Sequence, residues 1–221
     1  MRQGLAEGRL RLPRADVAYG GRVTTRVAGI LLAAGEGSRL GQPKALVEVG
    51  GWTLAERGVA LLMDGGADPV LIVTGAVPVT IPEAVAVHNP DWQTGMGSSL
   101  ATGLRALEDS DVGAAVVALA DQPRVGAEAV RRLIAAYRDG APVAVATYDG
   151  KPRNPVLIAR EYWPEVLTMA HGDTGARPFL RAYPELVTQV ECGDTGAPDD
   201  VDTPQDLARV RAATTVRSEK T

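Results

Sequence analysis

The chain has 221 residues, 45% of them hydrophobic and 23% charged, with a formal net charge of -4 and a pI near 5.3. That supplies the core of one large domain, and the mildly acidic balance excludes the broad basic face needed for nucleic acid or an anionic membrane, so the expected partner is a small molecule. The single cysteine, Cys192, excludes an internal disulfide framework, and the histidines His88 and His171 stand far apart with no cysteine cluster of the usual zinc kind. No run reaches the roughly 18 apolar residues of a membrane span and no signal-peptide core opens the chain, so the expected location is the cytoplasm.

Residues 1–26 carry Arg2, Arg9, Arg11, Arg14, Arg22 and Arg26 against Glu7 and Asp16, without a sustained apolar period. They read as a disordered extension or as sequence upstream of the true start, with a basic arm for an acidic partner as the alternative. The domain is expected over 27–213, followed by a short tail over 214–221. It begins with the apolar run Val27 to Leu32, which reads as a strand buried on both faces. The strand breaks into Ala33-Ala34-Gly35-Glu36-Gly37-Ser38-Arg39-Leu40-Gly41-Gln42-Pro43-Lys44. Glycines there let backbone N–H groups approach polyphosphate oxygens, and Arg39 and Lys44 supply the neutralising charge.

A short strand is expected over Leu46 to Val49, then a Gly50-Gly51 turn. Thr53-Leu54-Ala55-Glu56 is a capping box that opens a helix to about Asp64. Pro69 to Thr74 is the next buried strand. Leu100, Leu104 and Leu107 mark a helix with Ser98 or Ser99 as its N-cap, and Gly113 to Ala120 is the most apolar strand, with Asp121 at its end. Val130, Leu133, Ile134 and Tyr137 stripe the following helix, and Pro142 to Thr147 is a further strand. Thr203, Pro204 and Asp206 form a complete helix start. Strands alternating with helices at this spacing predict an α/β fold with a doubly wound, mostly parallel sheet, whose ligands bind at the carboxyl ends of the strands.

Spacing separates the phosphate-binding loops that this glycine run could represent. A Walker A loop needs Gly-Lys-Ser/Thr, whereas Gly41 is followed by Gln42-Pro43 before Lys44, and Ala45 replaces the hydroxyl. Gly35-x-Gly37-x-x-x-Gly41 is a variant of the dinucleotide fingerprint, with Glu56 near the place of a ribose-binding acid. That motif must open a helix directly, and here Pro43, the expected short strand and the glycine turn intervene.

Leu32-Ala33-Ala34-Gly35-x-x-Ser38-Arg39-Leu40-Gly41-x-x-Lys44 resembles the signature of the MobA-like nucleotidyltransferases, in particular the molybdenum cofactor cytidylyltransferase branch. Five further blocks resemble that branch in order: Asn89-Pro90-Asp91-Trp92 with Gly95 to Leu100; Leu119 to Pro123; Arg153 to Leu157; Gly172 to Arg177; and Asp200 to Pro204. The resemblance implies a Rossmann-like fold and transfer of CMP from CTP to a phosphorylated acceptor, molybdopterin, with release of pyrophosphate. It implies that Arg39 and Lys44 stabilise phosphates, that Asp121 and Asp202 hold Mg²⁺, and that Leu32, Ala33, Ala34, Gly35, Gly95, Ser98 and Ser99 bind the nucleotide. Guanylyl-transferring members carry Gly where this chain has Ala34. Arg153, Asn154 and Arg177 are the implied acceptor contacts, although Thr174 stands where the family often has Lys. A molybdenum hydroxylase is the implied protein partner. Three other readings remain: a sugar phosphate or methylerythritol phosphate as acceptor, an NAD(P)H-binding oxidoreductase using the glycine loop, and a non-catalytic cofactor-delivery protein.

Overall fold

A computed structural model describes the backbone of residues 25–218, with side chains over 25–213. Residues 1–24, almost all of the expected extension, lie outside the described residues. The first strand, β1, spans Val27–Leu32, followed by the two-residue strands β2 (Glu48–Val49) and β3 (Trp52–Thr53) and helix α1 (Leu54–Asp64). Then come β4 (Val70–Thr74), β5 (Val85–His88), α2 (Met96–Arg105), β6 (Ala114–Leu119) and α3 (Ala127–Arg138). The chain continues through β7 (Val143–Tyr148), β8 (Lys151–Ala159), α4 (Trp163–Met169), α5 (Arg177–Ala182), β9 (Val187–Glu191) and α6 (Pro204–Ser218).

Seven strands form one sheet in the order β5-β4-β1-β6-β8-β7-β9, in which β8 alone runs against its neighbours. Every residue of β1 is buried, because its two faces are covered by different helices. Val27 and Leu31 pack with Val59 and Leu62 of α1 and Leu133 of α3. Ala28, Ile30 and Leu32 pack with Leu100 and Leu104 of α2 and with Trp163 and Phe179 on the opposite side. After β1 the chain winds outward to β4 and β5, then returns to lay β6 against the other edge of β1. The switch point of the sheet therefore lies between β1 and β6, where Ala120 N donates to Leu32 O at 3.1 Å.

The capping box at Thr53 is present, with Glu56 N donating to Thr53 Oγ1 and Thr53 N donating to Glu56 Oε2 at 2.7 Å. Three local expectations fail. The strand over Leu46 to Val49 shrinks to β2, because Lys44–Leu46 forms a single 3-10 turn. Ser98 and Ser99 are not N-caps: α2 starts at Met96 with Gly95 at the cap, so both serines sit inside the first turn. Arg26, grouped by sequence with the extension, is part of the fold, paired to Asp68 at 3.0 Å and Asp111 at 2.8 Å. At the other end α6 continues through residues 214–218. Strands β5, β8 and β9 and the short helices α4 and α5 carry no clear periodicity in the sequence. No helix among the described residues is long and apolar enough to cross a membrane.

Candidate nucleotide and metal site

The loop after β1 is pinned to the end of the sheet by Ala33 N donating to Val73 O (2.9 Å) and Ala76 N donating to Ala34 O (3.1 Å). It then folds back on itself through Gly37, whose φ is 69°. A Cβ at that position would lie 2.2 Å from Gln42 O, so both the left-handed backbone and the close approach require glycine. The return brings Lys44 to the carboxyl ends of β1 and β6. Its Nζ donates to Asp121 Oδ2 at 2.7 Å and also bonds Asp202 Oδ1. Asp202 arrives because Val201 N donates to Asp121 O at 2.8 Å and because Thr203 and Asp206 form the expected helix start, with Asp206 N donating to Thr203 Oγ1. Arg39 Nη1 stands 4.0 Å from Asp202 Oδ2 with its side chain 76% exposed. The fold thus brings together Arg39, Lys44, Asp121 and Asp202.

Burial pushes the Asp121 carboxyl above the usual range; Lys44 opposes this, and Asp200 and Asp202 add to it. Burial also works to lower the Lys44 ammonium, but the two carboxylates outweigh it and hold Lys44 above its ordinary value. Asp121 Oδ1 is buried with no hydrogen-bond partner. A buried, unsatisfied carboxylate oxygen beside a second carboxylate is a hard-oxygen donor set, which fits a small divalent cation such as Mg²⁺. Among the described residues no group of three or more His, Cys, Asp or Glu forms a metal cage. The rest of such an ion's shell would come from phosphate oxygens and water, the usual arrangement for Mg²⁺.

Gly95, with φ 109°, lies so close to the segment after α4 that a Cβ would sit 2.4 Å from Gly172 C. The Ser98 hydroxyl hydrogen is shared between Gly95 O (2.9 Å) and Asp91 O (3.0 Å), and its oxygen accepts from Asn89 Nδ2 at 2.9 Å. Ser99 is buried and its oxygen accepts from Asn89 Nδ2 at 3.1 Å. Both hydroxyls are therefore held by the protein's own groups. Asn89, only 1% exposed, stands in a block quoted from sequence but carries no role in the sequence reading. Its signal was a polar residue followed by proline directly after the β5 segment.

Because β8 is antiparallel, its first residues emerge at the same end of the sheet as Asp121. A pocket of about 400 Å³ opens there, lined by Tyr148, Asp149, Lys151, Arg153, Pro198, Asp199 and Asp200. Gln122 ties it to the carboxylate pair, donating from Nε2 to Asp200 Oδ1 at 2.8 Å. Of the expected acceptor contacts, Arg153 lines this pocket and Asn154 follows it in β8, whereas Arg177 is exposed at the first position of α5 and is not among the lining residues. Lys151 was not singled out by sequence, and Gln122 stands there only as a member of the Leu119 to Pro123 block. Thr174 is exposed, and its hydroxyl donates to His171 O at 2.6 Å.

The dinucleotide alternative does not match this geometry. The glycine loop leads into the one-turn segments Ser38–Leu40 and Lys44–Leu46 rather than an α-helix, and Glu56 is engaged by Thr53. A doubly wound sheet with a glycine-rich loop, a lysine and two carboxylates meeting at its switch point defines an α/β nucleotide-binding protein. Residues 29–187 match the MobA-like NTP transferase domain, and the chain belongs to that family of nucleotidyltransferases. It is 38% identical over 199 residues to nicotine blue oxidoreductase of Paenarthrobacter nicotinovorans, covering 83% of this chain and 96% of the relative. It is 28% identical over 199 residues to the purine catabolism protein PucB of Bacillus subtilis, covering 84% and 96% respectively. The solved Mycobacterium sp. strain JC1 homologue of Mycobacterium tuberculosis Rv0371c superposes with a TM-score of 0.77 at 30% identity, over 87% of this chain and 98% of that one.

Proposed function

We propose that the protein transfers CMP from CTP to a phosphorylated acceptor, molybdopterin, forming molybdopterin cytosine dinucleotide and pyrophosphate with Mg²⁺ as cofactor. The observation that carries this reading is the meeting of Lys44, Asp121 and Asp202 at the end of the glycine loop. In nucleotidyl transfer an anionic phosphate oxygen attacks the α-phosphorus while the bond to pyrophosphate breaks, so charge repulsion is the main obstacle. The backbone from Leu32 to Gly35 lies along the nucleotide, and Ala34 narrows the base pocket toward a pyrimidine. Gly95, packed against the Gly172 segment, presents its backbone to the nucleotide, and Asn89, through Ser98 and Ser99, fixes that turn of α2. Arg39 meets the phosphates at the exposed rim and Lys44 neutralises charge developing on the leaving group. Asp121 and Asp202 would hold the cation, which supplies positive charge to the phosphate oxygens when bound. Arg153, with Lys151 beside it and Asn154 next in β8, receives the acceptor phosphate in the pocket. A molybdenum hydroxylase would receive the product.

A second reading follows from the 38% identical relative, whose name is that of an oxidoreductase. One experiment separates the two: thermal-shift titration with CTP, GTP, ATP, UTP, NADH and NADPH, each with and without Mg²⁺, since a ligand of the native state raises apparent stability. A selective, Mg²⁺-dependent shift with CTP supports cytidylyl transfer and selects acceptor assays with molybdopterin, sugar phosphates and methylerythritol phosphate. A shift with NADH or NADPH alone overturns the proposal.

A further inference from the structure

We infer that Lys44 is a built-in competitor for the divalent cation at Asp121 and Asp202, so that the chain takes up metal and nucleoside triphosphate together rather than singly. The inference rests on the proposed role of the two carboxylates and adds a binding order to it. The Lys44 ammonium is 2.7 Å from Asp121 Oδ2 and is bonded to Asp202 as well, and its side chain is only 21% exposed. A cation that takes both carboxylates must displace this ammonium or sit against it, and like charges this close repel. A triphosphate arriving alone meets the opposite problem, since two carboxylates flank the lysine that should receive it.

Both obstacles vanish when the ligands come together. Phosphate oxygens draw the ammonium away, and the freed carboxylates accept the metal ion. The exchange needs movement of one side chain only. Ala45 and Val47 are buried at 1% and 0% and anchor the backbone on either side of Leu46. Lysine is a compact charge on a flexible four-carbon stem, suited to swapping a carboxylate for a phosphate. Arg39, exposed on the rim 4.0 Å from Asp202, is left to make first contact with the incoming anion. By linkage, whatever factor nucleotide gives to metal affinity, metal gives to nucleotide affinity.

The test is Mn²⁺ binding, read by electron paramagnetic resonance and calorimetry, for wild type, K44M, K44Q and the double variant D121N/D202N. Each is measured with and without CTP, after subtraction of the Mn²⁺ bound by free CTP. Without nucleotide, K44M should bind Mn²⁺ at least tenfold more tightly than wild type. In wild type CTP should tighten Mn²⁺ at least tenfold, and K44M should lose most of that gain. K44Q keeps a polar end between the carboxylates without charge, so it serves where K44M melts far below wild type. If both Lys44 variants bind Mn²⁺ alone no better than wild type while D121N/D202N loses it, the competitor role is overturned and the metal assignment stands. If D121N/D202N binds Mn²⁺ like wild type, the carboxylates are not the metal site and both readings fall. A gain produced by GTP instead of CTP supports the competitor role and overturns the base preference.

Discussion

Gly97 should be the most informative single position outside the charged cluster. It lies in the first turn of α2, and a Cβ there would sit 2.6 Å from both the carbonyl carbon and oxygen of Ala170 and 2.8 Å from His171 N. Ordinary contact begins at 3.4 Å, so the segment carrying Gly172 must retreat by about 0.8 Å (3.4 minus 2.6) to admit a methyl group. Overpacking of this kind costs about 1–3 kcal/mol. Exchanging Gly for Ala inside a helix returns about 1 kcal/mol. The net loss for G97A is therefore about 0–2 kcal/mol, and a chain of this size loses about 2–4 °C of Tm per kcal/mol. Function should suffer more than stability, because Gly172 packs on Gly95, a proposed nucleotide contact, and displacing a positioning segment by about 1 Å costs up to about a hundredfold in rate. Gly103, six residues on in the same helix, is the control. Its Cβ would meet Ile30 Cγ2 at 2.7 Å in the core, far from that segment. G103A should lower Tm over a similar range and leave CTP affinity within about twofold. Calorimetric CTP titration and thermal melts of both variants decide the matter. Equal ligand affinity in G97A and wild type, or equal losses in the two variants, would refute the reasoning.

Asp121→Asn should abolish most turnover while Tm holds or rises, since it removes a buried charge whose Oδ1 has no partner; a large drop in Tm would mean that the Lys44 pair outweighs the burial cost. Arg153→Ala should raise the acceptor KM with little change in CTP affinity, measured by steady-state kinetics, and an equal loss on both substrates would remove Arg153 from the acceptor side. Glu56 is held below its ordinary value first by the Thr53 N–H and then by the Thr53 hydroxyl. A depressed carboxyl stabilises the fold above its unfolded-state range and loses that contribution as pH falls through the folded-state value. Melts from pH 6 down to about pH 3 should therefore show E56Q losing less Tm than wild type. Parallel curves would mean that the capping box contributes nothing through ionisation.

The rise in the Asp121 pKa and the orphaned Oδ1 share a cause. β6 is buried through Ala118, and Ala120 just past its end is buried again, so Asp121, two residues beyond the strand, leaves the core only partly. A carboxylate held there is poor for stability and well placed for a ligand. Gln122 shows the complementary arrangement: it is buried at 6%, yet its amide finds Asp200 and thereby fixes the wall of the pocket lined by Lys151 and Arg153.

The elements that sequence alone determined are those in which local chemistry and burial agree. β1, β4, β6 and β7 are covered on both faces and so read as continuous apolar runs, and α1 announces itself through the Thr53 and Glu56 box. The glycine loop, its two cations and Asp121 were likewise legible, because a charged residue after a buried strand has few structural uses, whereas Asp202 came from the family resemblance. Other features depended on packing. β8 begins Lys151-Pro152-Arg153-Asn154-Pro155, a polar, proline-rich start that conceals the longest strand of the sheet. β5 and β9 lie at the sheet's two edges with little burial, so no apolar period marks them. Ser98 and Ser99 have the residue type of caps, but the close approach of Gly95 and Gly97 to the Gly172 segment sets where α2 begins, and Asn89 takes both hydroxyls. Sequence thus named the charges of the site. Only the tertiary structure placed Lys44 between two carboxylates far apart in the chain, because that contact arises from strand order and loop closure, which no local pattern encodes.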